Sequence, residues 1–247
     1  MKRSKILLII AVISLVVAFY FYRDYSNFSS IKPTNVHFEN RIEKYSIQGI
    51  DVSHHQGVIE WDKVTYPNPE RSLQFVFMRA TVGVEKDKRF KRNWEESQVL
   101  NINRGAYHYY WANVNSTQQA KNFIKTVDLK KGDLPPVLDI EEVSSIQSIE
   151  NLRKGLKNWI SIIKKHYGVA PILYTGASYY KDYLSSDDYF KNYPRLWIAN
   201  YSYRGQPEGD WDFWQFTDKL AVPGIKPLVD GNVYRHDENT YNKLLIN

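Results

Sequence analysis

The stretch PPVLDIEEV, residues 135–143, decides the fold. Two prolines lead into Val137, Leu138 and Ile140, an apolar run of buried-strand length. Asp139 and Glu141 are threaded through it. Side chains alternate across a strand, so the two carboxylates share a face, their Cα atoms about 6.6 Å apart. Two acids on one face of a buried strand require a polar cleft, a metal or ion-pair partners. The C-terminal end of a strand in a closed β/α barrel supplies such a cleft.

Seven further strand-like runs flank this one: QGIDVS (48–53), FVFMRAT (75–81), GAYHYY (105–110), PILYT (171–175), RLWIANY (195–201), DFWQFT (212–217) and PLVDGNVY (227–234). Helical patterns lie between the earlier runs. RFKRNWEESQVLN (89–101) places Phe90, Trp94 and Val99 near one side. STQQAKNFIKTV (116–127) opens on candidate caps Ser116 and Thr117. Residues 148–168 have Ser148 as N-cap and Gly168 as stop, and 177–184 form a shorter helix. After Asn200 no helical pattern appears. Alternation of strand and helix predicts a parallel sheet. Eight strands predict an α/β fold: a shortened TIM-like barrel with about five helices, its last three strands lacking helices. The rival is an open doubly wound sheet, weakened by the lack of a Gly-rich phosphate loop after the first strand.

The chain has 247 residues, 43% hydrophobic, 24% charged and 15% aromatic, with 19 Tyr and 7 Trp. So many rings suit either sugar stacking or an aromatic core. It contains no cysteine, which excludes disulfides, thiol catalysis and Cys-based metal sites. Of the net charge of +6, Lys2, Arg3 and Lys5 supply half, leaving +3, too little for nucleic-acid binding. Behind those three cations, residues 6–22 are uncharged and end in aromatics from Phe19 to Tyr22. They read as a membrane anchor, favoured over a cleaved signal peptide because no small-x-small site follows. The positive flank places the rest outside the cytoplasmic membrane. The predicted organisation is an anchor or signal at 1–22, a stalk at 23–47 and a barrel at 48–247.

On this barrel several residues besides the pair fall at strand ends. Asp51 ends the first run, Tyr107 and Tyr109 lie in the third, Tyr174 ends the fifth, Trp197 lies in the sixth, and Asp230 is placed at the end of the last. Together they predict an acidic rim lined with rings. A protonated carboxyl beside an ionised one is the equipment for cleaving a glycosidic bond, and repulsion with burial is expected to keep one member of the pair protonated. His54 and His55 could join Asp51 and Asp139 in a metal site, but adjacent strand residues face opposite ways unless a turn begins there. His108 reads as a core or supporting side chain. No metal or cofactor is expected.

Here the sequence resembles glycoside hydrolase family 25, the Chalaropsis-type lysozymes. The resemblance runs from about Gly49 to Tyr234. It rests on GIDVSHHQGVIEWDKV, FVFMRATVG, NRGAYHYYWA, PPVLDIEE, PILYTG, LWIANY, WDFWQFTD and VPGIKPLVDGNVY, in that order. It implies cleavage, with retention, of the β-1,4 bond between N-acetylmuramic acid and N-acetylglucosamine in peptidoglycan. It further implies Glu141 as proton donor, Asp139 as its partner, Asp51 and Asp230 as the other rim acids, and Tyr107, Tyr174 and Trp197 along the groove, to which the strand reading adds Tyr109. Either a carboxylate or the substrate's own 2-acetamido group attacks the sugar. The expected partners are glycan strands and the membrane, the latter through 6–22, and the expected state is a monomer. The alternatives are a non-catalytic wall-glycan binder on the same fold and a metal-dependent deacetylase using the histidines.

Overall fold

The computed structural model describes residues 39–202 and 205–247; the segment at 6–22 and most of the expected stalk lie outside them. Its strands are β1 (Ile47–Val52), β2 (Leu73–Val82), β3 (Glu85–Lys86), β4 (Asn103–Tyr109), β5 (Val137–Asp139), β6 (Ile172–Gly176), β7 (Leu196–Ala199), β8 (Phe213–Leu220) and β9 (Val229–Tyr234). β3 only forms a hairpin with the end of β2. The other eight close into a barrel, because β1 pairs with β9 on one side and with β2 on the other. From β1 through β2, β4, β5, β6 and β7 to β8 every pairing is parallel, whereas β9 runs antiparallel to both β8 and β1. This is the shortened barrel expected from the sequence.

Besides a helical stretch at 39–42, the helices are α1 (Phe90–Glu96), α2 (Ser116–Thr126), α3 (Ile149–Tyr167), α4 (Ala177–Tyr179), which runs into a π turn at Tyr180–Leu184, α5 (Asp188–Lys191) and α6 (Glu238–Asn242). α3 begins at the Ser148 cap and stops at Gly168, whose φ of 76° suits glycine. Three details depart from the sequence reading. The cap of α2 is Asn115, whose side chain accepts from Gln118 N–H. The first helix tightens into a 3₁₀ turn at Ser97–Leu100, which leaves Val99 63% exposed instead of beside Phe90 and Trp94. A short helix, α6, does follow the last strand, and its Tyr241 joins the barrel core.

Inward residues at every second position form layers, apolar below and polar above. β2 contributes Phe75 and Phe77 before Arg79, β5 Val137 before Asp139, β6 Ile172 before Tyr174, and β8 Phe213 before Gln215. Phe77 stacks on Trp197 at 4.6 Å between ring centroids and meets Phe213 edge-on at 5.4 Å. These rings leave no room for side chains beside them on the neighbouring strands. A Cβ on Gly49 would lie 2.2 Å from the Phe75 ring, and one on Gly105 would lie 2.3 Å from Phe77. A second core fills the space between strands and helices. It contains His108, which stacks on Trp159 and bonds Thr81 Oγ1 at 2.7 Å and Gln119 Oε1 at 3.1 Å. Burial pushes His108 down to about 3, so it is a neutral core residue.

The expected boundary at 48 falls too late. No helix follows β8, and its outward Trp214 and Phe216 are covered by residues just before β1, helical at 39–42. Ile42 and Tyr45 are buried, Tyr45 meets Trp211 and Trp214 edge-on, Arg41 donates to the Phe216 carbonyl at 2.9 Å, and Glu39 pairs with Arg71 at 3.0 Å. The described part of the expected stalk therefore packs as barrel wall. A chain begun at Gln48 should melt on the order of 10 °C below one begun at Glu39. That follows from ~1.5–3 kcal/mol per uncovered apolar side chain, and thermal melts of the two check it. Among the described residues no helix is long and apolar enough to cross a membrane.

Candidate active site

At the C-terminal end of the parallel strands the barrel opens into a cavity of about 410 Å³. Asp51, Tyr107, Tyr109, Asp139, Glu141, Tyr174, Trp197 and Asp230 all line it. The eight residues expected on the rim are thus brought to one place.

β5 ends at Asp139, so Glu141 lies just beyond the strand rather than within it. The extended path nevertheless continues: Ile140 N–H donates to Tyr174 O at 3.1 Å and Thr175 Oγ1 donates to Ile140 O at 2.7 Å. Glu141 consequently keeps the side that Asp139 has. The loop behind it is pinned at Glu142, whose carboxylate accepts from Tyr109 OH and whose carbonyl accepts from Tyr179 OH, each at 3.1 Å.

Asp230 reaches the rim by a different route from the one expected. It stands near the start of β9, not at its end. Because β9 is antiparallel, its beginning lies beside the ends of the others, and Asp230 sits directly across from Asp51. Trp197 is also placed differently. It is only 2% exposed, sandwiched against Phe77 and Tyr174, and its indole N–H donates to Asn232 Oδ1 at 2.8 Å. It forms the floor of the cavity and offers no free face for stacking. The ring that does stand open is Tyr201, 46% exposed.

Burial raises all four acids, because charge is costly away from water. Asp139 lies well above the carboxylate range, from burial first and then from the charges of Glu141 and Asp51. Glu141 is also raised by burial, but its hydrogen-bond contact with Asp139 pulls it down. The two thus bear on each other in opposite senses: Glu141 pushes Asp139 up, and Asp139 pulls Glu141 down. Asp139 Oδ1 is buried and has no hydrogen-bond partner. Asp51 and Asp230 form a second raised pair, both lifted chiefly by burial, Asp230 further by the charge of Asp51.

Arg79 is the cation of the cavity. Its Nε bonds Asp87 Oδ2 at 3.0 Å, and Asp87 also takes His54 Nδ1 at 2.8 Å and Arg89 N–H at 2.9 Å. Burial alone would lift Asp87, but these bonds outweigh it and hold it low. His54 and His55 do not alternate across a strand. A 3₁₀ turn capped by Ser53 begins there, the two rings lie 4.2 Å apart, and only His55 reaches the cavity. Among the described residues no group of three His, Asp or Glu is placed to hold a metal.

The sequence matches the model of "Glycosyl hydrolases family 25" over residues 50–225. This chain is a family 25 glycosyl hydrolase. It is 41% identical over 217 residues to the uncharacterized protein YegX of Escherichia coli (strain K12), covering 85% of this chain and 78% of YegX. It is 32% identical over 202 residues to Lysozyme M1 of Streptomyces globisporus, covering 76% of this chain and 67% of that lysozyme. The bacterial lysozyme structure from Streptomyces coelicolor superposes with a TM-score of 0.73 at 28% identity, over 82% of this chain and 98% of that one.

The glycosyl hydrolase cleft also uses residues the sequence reading passed over: Arg79, Tyr201, Gln215 and, behind the cavity wall, Asn232. A signal existed for three of them. Arg79, Gln215 and Asn232 each lie two positions beyond an inward residue already recognisable, Phe77, Phe213 and Asp230. Tyr201 follows β7 in irregular backbone, where no period applies.

Proposed function

We propose that this hydrolase is an N-acetylmuramidase that cleaves peptidoglycan between N-acetylmuramic acid and N-acetylglucosamine with retention. The observation that carries the reading is the contacting Asp139–Glu141 pair at the barrel mouth of a family 25 chain. Two carboxyls that flank a scissile bond and act from opposite faces stand about 5–5.5 Å apart. A pair in contact leaves no room for a sugar between them. This favours attack by the substrate's own acetamido oxygen on C1. The acetamido N–H then bonds to the unpartnered Oδ1 of Asp139. That bond favours the ionised aspartate and moves its proton to Glu141, with the pair's total charge unchanged. Glu141 passes the proton to the departing O4 of N-acetylglucosamine. Water, deprotonated by the same glutamate, then opens the ring formed with the acetamido group. Asp51 and Asp230 face the positive charge that develops on the sugar, and Tyr109 and Tyr201 line the groove.

The uncharged run at 6–22 supports attachment to the outer face of the cytoplasmic membrane, with the barrel acting there as a monomer. Digestion of purified peptidoglycan, followed by mass analysis, tests the reading. Fragments with N-acetylmuramic acid at the reducing end are expected. Reducing-end N-acetylglucosamine would refute the bond assignment, and binding without fragments would make the chain a glycan-binding protein.

A further inference from the structure

The cavity floor holds a chain of hydrogen bonds that spans five segments of the barrel. Trp197 Nε1 on β7 can only donate, and it donates to Asn232 Oδ1 on β9 at 2.8 Å. The Asn232 amide is therefore fixed with its N–H₂ toward Asp51 on β1, and Nδ2 meets Asp51 Oδ2 at 2.7 Å. From the other side, Gln215 Nε2 on β8 donates to the same Oδ2 at 2.8 Å. The Gln215 carbonyl accepts from Tyr174 OH at 2.8 Å and from Tyr201 OH at 2.5 Å. Asn232 is fully buried and Gln215 is 3% exposed, so neither amide has water to fall back on.

Two N–H groups on Oδ2 bar a proton from that oxygen and favour the ionised carboxylate over one protonated at Oδ1. We propose that Trp197, Asn232 and Gln215 are positioning residues that hold Asp51 as the ionised member of the Asp51–Asp230 pair and so place that pair's proton on Asp230. The two amides act through Asp51 and touch no reacting atom. The other groups around Asp51 pull both ways. Glu141, beyond the end of β5, opposes its charge, whereas the hydrogen bond with Asp230 on β9 favours it and Arg79 on β2 adds a positive charge to the same cavity; the phenols Tyr107, Tyr174 and Tyr201, all pushed up, are neutral there and add no charge. Against burial and the charge of Glu141, the two amides do most to keep Asp51 charged. Its charge in turn helps keep the proton on Asp139 until substrate arrives.

The test reads protonation directly. In protein labelled with ¹³C at aspartate carboxyls, the Asp51 and Asp230 signals are assigned by their loss in Asp51→Asn and Asp230→Asn. In the wild type the lower titration step should move mainly the Asp51 signal and the upper step mainly that of Asp230; the reverse order overturns the proposal. Trp197→Phe keeps a ring against Phe77 but removes the N–H, and Asn232→Leu removes the donor itself. Both should raise the Asp51 midpoint by about one pH unit or more. An unmoved midpoint in folded Trp197→Phe overturns the proposal. These titrations use no substrate and so stand or fall apart from the muramidase reading on which the kinetic consequence rests. That consequence is an acid limb of kcat/KM moved to higher pH in Trp197→Phe. An equal loss at every pH would assign Trp197 to packing alone and refute the idea.

Discussion

Glu141→Gln should lower kcat on peptidoglycan by about 10²–10⁴-fold, the range set by loss of a positioned general acid. That corresponds to roughly 3–5 kcal/mol of barrier. Glutamine keeps the shape and the contact with Asp139 but has no proton to give the departing oxygen. Release of reducing ends from purified glycan, followed over time, measures the effect. KM should change little, because the side chain stands at the mouth and contributes chiefly to the transition state. Retention of more than a tenth of wild-type kcat would remove Glu141 from its assigned role. Substrates with a good leaving group need little protonation and should recover part of the loss, which separates a missing acid from a damaged cleft.

The second large effect concerns the substrate. If the acetamido group is the nucleophile, glycan whose muramic acid lacks its N-acetyl group should be cleaved at least about 10³-fold more slowly, because a group already held against C1 is lost. Direct attack by a carboxylate would tolerate that change, so the rate ratio between acetylated and deacetylated glycan decides the mechanism. Asp139→Asn should depress kcat by about 10²–10³-fold, as expected when one preorganised charge is removed. The same variant should be more stable than the wild type. A carboxyl raised in the folded state stabilises the fold fully below its unfolded value near 4, and that contribution is lost as pH rises through the folded value. Asparagine has no such loss. The melting temperature of Asp139→Asn should therefore exceed that of the wild type at pH 7, by about 2–4 °C for each kcal/mol, and match it near pH 4. Equal melting curves at pH 7 would show that Asp139 is charged without cost in the folded barrel.

The strands were legible because each carries its own signal. All eight runs became barrel strands, and the pair at Asp139 and Glu141 shares a side because a period of two is a local property. α3 was legible for the same reason: its cap, its stop and its apolar face lie within twenty-one residues. The misjudged elements lacked a local signal. Asp230 at the start of β9 reaches the rim only because the last strand reverses, which depends on β9 fitting between β8 and β1. Trp197 looked like a stacking platform until Phe77 and Tyr174 closed over it. Ile42 and Tyr45 looked like stalk because the surface they cover belongs to β8, some 170 residues away.

By itself, the amino-acid sequence determined the strand inventory, the parallel barrel, the acids that could take part and the family to which they belong. These follow from alternation, capping and ordered motifs, each written within a short span of chain. Tertiary structure alone decided how strongly each acid holds its proton. A carboxyl's protonation depends on the water it has lost and on the donors that reach it. For Asp51 those donors, Gln215 and Asn232, come from the opposite end of the chain.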